Sequence, residues 1–175
     1  MTDIATLDDH GVLTDATTLQ IQRLLPGPIE RIWAWLTESD LRGRWLASGE
    51  MEAKVGAPFE LVWRNDELTD PPGQRPEGFG AEHRLQTHVI AIDPPHSLTF
   101  AMHGEVTFAL EPRGDEVLLT VTHRRVTDRN MLLNVSAGWH MHLDVLAARV
   151  RGTEPAPFWD GWARLKQDYA ERLPG

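Results

Sequence analysis

SAGWHMHLDVLAARVRG, residues 136–152, is the most informative run in the chain. Trp139, Leu143, Leu146 and Val150 recur at steps of four, three and four, the spacing of one face of an α-helix. Met141, Val145 and Ala148 widen that face, while His140, Asp144 and Arg151 fall on the polar side. Ser136 offers a capping hydroxyl at the start, Arg149 and Arg151 suit the C-terminal dipole, and Gly152 suits the stop. A helix this apolar has to lie on something. The strand-rich segment before it is the only partner long enough.

That segment, residues 48–123, alternates with a period of two. Phe59, Leu61 and Trp63 share one parity; Leu98, Phe100 and Met102 form a second set, Val106, Phe108 and Leu110 a third, and Val117, Leu119 and Val121 a fourth. Turn residues separate them at Asp93–Pro95, His103–Gly104 and Pro112–Asp115, and residues 82–92 read as a further strand. Short turns between consecutive strands predict an antiparallel meander. Before it, residues 17–25 read as a first strand, followed by a helix from Pro28 to Leu36 and a short one carrying Leu41 and Trp45. Pro155 and Pro157 separate the main helix from a closing helix with Phe158, Trp162, Leu165 and Tyr169 on one face. The expected fold is α+β: a curved antiparallel sheet wrapped around a long C-terminal helix, with two short helices after the first strand.

Composition narrows the classes of function. With 175 residues, 41% hydrophobic and 25% charged, the chain has globular values and length for one core. Four acids (Asp3, Asp8, Asp9, Asp15) and no Lys or Arg fall in residues 1–16, which are expected to form an acidic, loosely packed N-terminal arm before a single domain over 17–175. A net charge of -9 argues against nucleic acid or an anionic membrane as partner. No apolar run is long enough to span a bilayer, and the N-terminus lacks a secretory pattern, so the expected location is the cytoplasm. The absence of cysteine removes disulfides, thiolate catalysis and cysteine-bound metals.

Three stretches, RLLPGPIERIWAWLTESDLRGRWL (23–46), VTFALEPRGDEVLLTVTHRR (106–125) and GWHMHLDVLAARVRG (138–152), resemble the heat-shock-protein-90 ATPase activator homologue-like family. That family lies in the START-like, or SRPBCC, superfamily, and the resemblance runs from about Thr17 to Leu173. It implies a helix-grip fold and the binding of sterols, lipids, polyketides or other apolar molecules. It also implies two alternatives: a cyclase or hydrolase type of enzyme, or a protein that regulates a chaperone or a stress response. The eukaryotic activator carries an additional N-terminal domain, for which this length leaves no room.

The expected function is therefore binding of a small hydrophobic or amphipathic ligand between sheet and helix, rather than catalysis. Trp45, Trp63, Phe100, Phe108, His123, Trp139 and Leu143 are the expected ligand-binding residues. A packed core would use the same aromatic spacing. His123 shares strand parity with Leu119 and Val121, so it either meets a ligand or sits in the core on a backbone carbonyl. No catalytic residue is assigned, because GxSxG and cysteine are both absent.

No cofactor or metal is expected either. His140 and His142 are two apart on a helix and point to different sides, and HExxH is absent. Residues 65–80, with three prolines and three glycines, read as a flexible hairpin tip or a lid. Trp159 and Trp162 offer either an exposed patch for a protein partner or homodimer, or packing within the domain.

Overall fold

A computed structural model describes residues 10–173 of the protein. The chain forms β1 (Val12–Asp15), β2 (Thr18–Pro26), α1 (Ile29–Thr37) and α2 (Ser39–Arg42), then β3 (Pro58–Trp63), β4 (His83–Asp93), β5 (Ser97–Ala101), β6 (Glu105–Arg113) and β7 (Glu116–Arg124). Two helices close it, α3 (Arg129–Arg151) and α4 (Phe158–Arg172). Among the described residues the strands make one seven-stranded sheet in the order β1-β2-β7-β6-β5-β4-β3, with every neighbouring pair antiparallel. After β2 the chain crosses on α1 and α2 to the opposite edge. It then returns strand by strand until β7 pairs with β2, from Leu19↔His123 to Pro26↔Glu116.

Alternation explains which face is covered. Leu19, Ile21 and Leu25 of β2, Val106 and Phe108 of β6, and Leu119 and Val121 of β7 are all buried, and Trp139, Leu143, Leu146 and Val150 of α3 are buried with them. Burying one such side chain is worth about 1.5–3 kcal/mol, so together these fix the helix on the sheet. Arg23 shares that inner parity in β2, and its guanidinium reaches Asp144 on α3 at 2.9 Å.

α3 is longer than the expected helix, which began at Ser136. It starts at Arg129, and Asp128 is the cap, its carboxylate accepting the Met131 N–H at 2.8 Å. Ser136 lies in the helix interior, where its hydroxyl donates to the Leu132 carbonyl at 2.6 Å. The stop is as expected, with Gly152 at φ 74° in the left-handed region that favours glycine. His140 is buried rather than on a wet polar face, because α4 covers that side and the Tyr169 hydroxyl lies 2.9 Å from His140 Nδ1. A helix covered on both flanks has no wet stripe wide enough for every polar residue.

Two other expectations are corrected. Of the segment expected to be an acidic arm (1–16), residues 1–9 lie outside the described residues, and from Val12 onward it joins the sheet. Asp15 there makes the hairpin turn, accepting the Thr17 N–H at 2.9 Å and the Thr18 hydroxyl at 3.0 Å. Residues 65–80 are tied down rather than a free tip: the Thr69 hydroxyl accepts the Phe158 N–H at 3.0 Å, and the Pro72 carbonyl accepts the Trp159 N–H at 2.9 Å. Of the two readings of Trp159 and Trp162, packing within the domain is the one observed, since both are buried.

Candidate functional site

Between α3, α4, the β3–β4 connection and the β5–β6 turn lies a cavity of about 400 Å³. Trp63 enters at the end of β3, Trp139 from α3, and Phe158, Trp159 and Trp162 from α4. Phe79 packs over two of these indoles, with ring centroids 5.6 Å from Trp159 and 5.2 Å from Trp162. Exposed Glu82, His83 and His103 stand at the rim. Gly138 keeps the α3 wall low, since a Cβ there would meet nothing nearer than Trp162 Nε1 at 4.0 Å.

The polar chemistry of the β3–β4 connection holds this wall in place. Asp66 Oδ1 accepts the Trp159 indole N–H at 2.7 Å, and Asp160 Oδ1 accepts the Gln74 N–H at 2.9 Å. The connection is thereby fastened to the first turn of α4, leaving Phe79 above the indoles. On the floor, the chain after α2 is fixed by Arg42, whose buried guanidinium donates to the carbonyls of Ala47 (3.0 Å), Thr37 (3.1 Å), Leu36 (3.4 Å) and Gly49. Burial lowers this guanidinium to about 10, still charged near neutrality. The loop so fixed presents the Trp45 carbonyl to His142, whose Nδ1–H donates to it at 2.8 Å.

Only Trp63 and Trp139 of the seven expected ligand-binding residues line this cavity. Trp45, Phe100, Phe108, Leu143 and His123 lie instead in the core beneath it. Trp45 donates its indole N–H to the Trp35 carbonyl at 2.8 Å, and Phe108 packs edge-on against Trp139 and Phe100. His123 has no exposed surface. Its Nε2–H donates to the carbonyls of Met102 (2.8 Å) and His103 (3.2 Å), and its Nδ1 accepts the Trp139 indole N–H at 3.0 Å. Both ring nitrogens are committed, and burial pushes the imidazole below its ordinary value. The ring orients Trp139 and leaves no nitrogen for a ligand. Arg44 is exposed and stacks on Trp35 at 5.1 Å, away from His123.

Residues that sequence reasoning did not assign complete the site. Phe79, Phe158, Trp159 and Trp162 supply most of the aromatic wall, and His142, Asn65 and Asn134 supply polar atoms. His142 stands three residues after Trp139, so helical spacing alone puts the two on adjoining positions of one face. Its ring is held at a pKa of about 4 because burial outweighs the hydrogen bond to the Trp45 carbonyl. His140 and His142 turn to different partners, and among the described residues no group of three acids or histidines gathers as a metal site. Chemically, this arrangement buries apolar surface, stacks flat rings and offers a few hydrogen bonds. No helix among the described residues is long and apolar enough to cross a membrane.

A family model described as Activator of Hsp90 ATPase homolog 1-like protein matches residues 26–151. The solution NMR structure of a Bordetella parapertussis protein (gene BPP1335) is 38% identical, spans 100% of this chain and 97% of its own, and superposes with a TM-score of 0.80. A conserved protein of unknown function from Enterococcus faecalis is 18% identical over 94% of this chain and 89% of its own, with a TM-score of 0.70. CalU16 from Micromonospora echinospora is 21% identical over 88% and 86%, with a TM-score of 0.63. The last two share the fold. No curated protein matches the chain.

Proposed function

This chain belongs to the Activator of Hsp90 ATPase homolog 1-like family, and on that premise we propose that it binds a small hydrophobic or amphipathic molecule in the cavity between α3, α4 and the β3–β4 connection. The observation that carries the proposal is a solvent-open space of about 400 Å³ walled by indole and phenyl rings beside an otherwise filled core. That volume lies within the roughly 300–1,000 Å³ range of ligand pockets. Rings already held by hydrogen bonds to Asp66 and His123 need little reordering on binding, so most of the burial free energy goes to affinity.

Native mass spectrometry of freshly purified protein tests the proposal, followed by displacement with fatty acids, sterols and polyketides. Gly138→Leu, which would fill the α3 side of the cavity, is the matching variant. The expected result is a bound mass or a displaceable probe in the natural chain and weaker binding in the variant. Protein that stays empty against all three ligand classes refutes it.

A further inference from the structure

We infer that the cavity selects neutral aromatic molecules carrying an O–H or N–H donor, and that the donor ends on His142 Nε2; the inference rests on the cavity being a ligand site. The tautomer follows from geometry. His142 Nδ1 lies 2.8 Å from the Trp45 carbonyl, which can only accept, so the proton is on Nδ1. Nε2 of the neutral ring is then a bare lone pair, and no hydrogen bond to it exists among the described residues. Burial keeps a second proton off, holding the ring at about 4.

His142 lines the cavity, and Nε2 is the acceptor it offers there. An unmatched buried acceptor is a standing cost, relieved by a donor and worsened by an anion. Among the residues that line the cavity none is Lys or Arg, and Glu82 stands at the rim. A carboxylate would therefore enter without a counter-charge. Trp63, Phe79, Trp139, Phe158, Trp159 and Trp162 favour a flat ring over an alkyl chain through edge and face contacts. Together these groups describe a phenol, or an aryl amide or amine that is uncharged.

Isothermal titration calorimetry at neutral pH with naphthol, methoxynaphthalene, naphthoate and decanol separates the possibilities. Naphthol should bind about tenfold more tightly than methoxynaphthalene, which has the same ring but no donor. Naphthoate and decanol should both bind more weakly than naphthol. In His142→Phe the naphthol preference should fall to about twofold or less while methoxynaphthalene still binds. That variant strands the Trp45 carbonyl; if it does not fold, the four-ligand series on the natural chain decides alone. Equal affinity for naphthol and methoxynaphthalene, or tighter binding of decanol or naphthoate, overturns the inference and leaves the cavity as a ligand site. If none of the four binds, this inference fails; the cavity proposal fails with it only if the protein also stays empty against the fatty acids, sterols and polyketides.

Discussion

Two helical glycines sit at the α3–α4 side of the molecule, and replacing each with alanine should have unequal effects. Gly138 is in the interior of α3, and an added Cβ meets only Trp162 Nε1 at 4.0 Å, an ordinary contact. Alanine in a helix interior is favoured over glycine by about 0.8–1 kcal/mol, so Gly138→Ala should stabilise by close to that amount. Gly161 is buried in α4, and its added Cβ would lie 2.7 Å from Met141 Cε and overlap Met141 Sδ. Met141 is itself buried, so it has little room to move aside. Overpacking of that kind costs about 1–3 kcal/mol and opposes the same propensity gain, leaving Gly161→Ala between neutral and about 2 kcal/mol destabilised. The two variants should therefore differ by about 1–3 kcal/mol, or several degrees in Tm for a domain of this size. Urea denaturation with an unchanged m-value measures the difference directly. Equal stabilities, or a more stable Gly161→Ala, would refute the close packing of α4 on Met141 and the open space beside Gly138.

Acid should weaken the fold through His142. Its ordinary value of 6.5 falls to about 4 when folded, so the unfolded chain takes up the proton first. Stability is then complete above about pH 6.5 and declines as pH falls toward 4, by about 3 kcal/mol over the window, with His123 acting in the same direction. Urea midpoints across that range should fall less steeply in His142→Gln than in the natural chain; parallel curves would contradict the account. At the start of α3, Asp128→Ala should cost about 1 kcal/mol through loss of the cap, and Ser136→Ala should cost less, since its hydroxyl only returns to the Leu132 carbonyl. Thermal melts giving the reverse order would place the helix start at Ser136 after all.

Periodicity made the sheet legible. Phe59-Leu61-Trp63, Val106-Phe108-Leu110 and Val117-Leu119-Val121 alternate because one face of each strand is buried in the core, and a one-residue slip would expose the whole set. β1 escaped notice because Val12–Asp15 lies largely on the surface and carries no alternation to read. The first turn of α3 escaped because Asp128, Arg129 and Asn130 look like a loop until Asp128 is recognised as the cap. The site was harder. Helical spacing and strand parity tell which side chains point inward and say nothing about whether another side chain already occupies the space. Trp45 and Phe108 therefore read like Trp63, although the first two fill the core and the third borders the cavity. Residues 65–80 carried a usable signal: apolar Leu68 among polar neighbours, and Asp66 as an acceptor for an indole N–H.

The placement of β2 has a consequence for how the molecule is made. Its neighbour in the sheet arrives late: Gln22 meets Thr120, 98 residues further along. Strands β4 to β7 can zip by short turns as they appear, whereas the first long strand must wait with Leu19, Ile21 and Leu25 uncovered. Closing that loop is the most entropically demanding pairing in the sheet, so the rate of folding is set at its β2–β7 seam rather than in the meander.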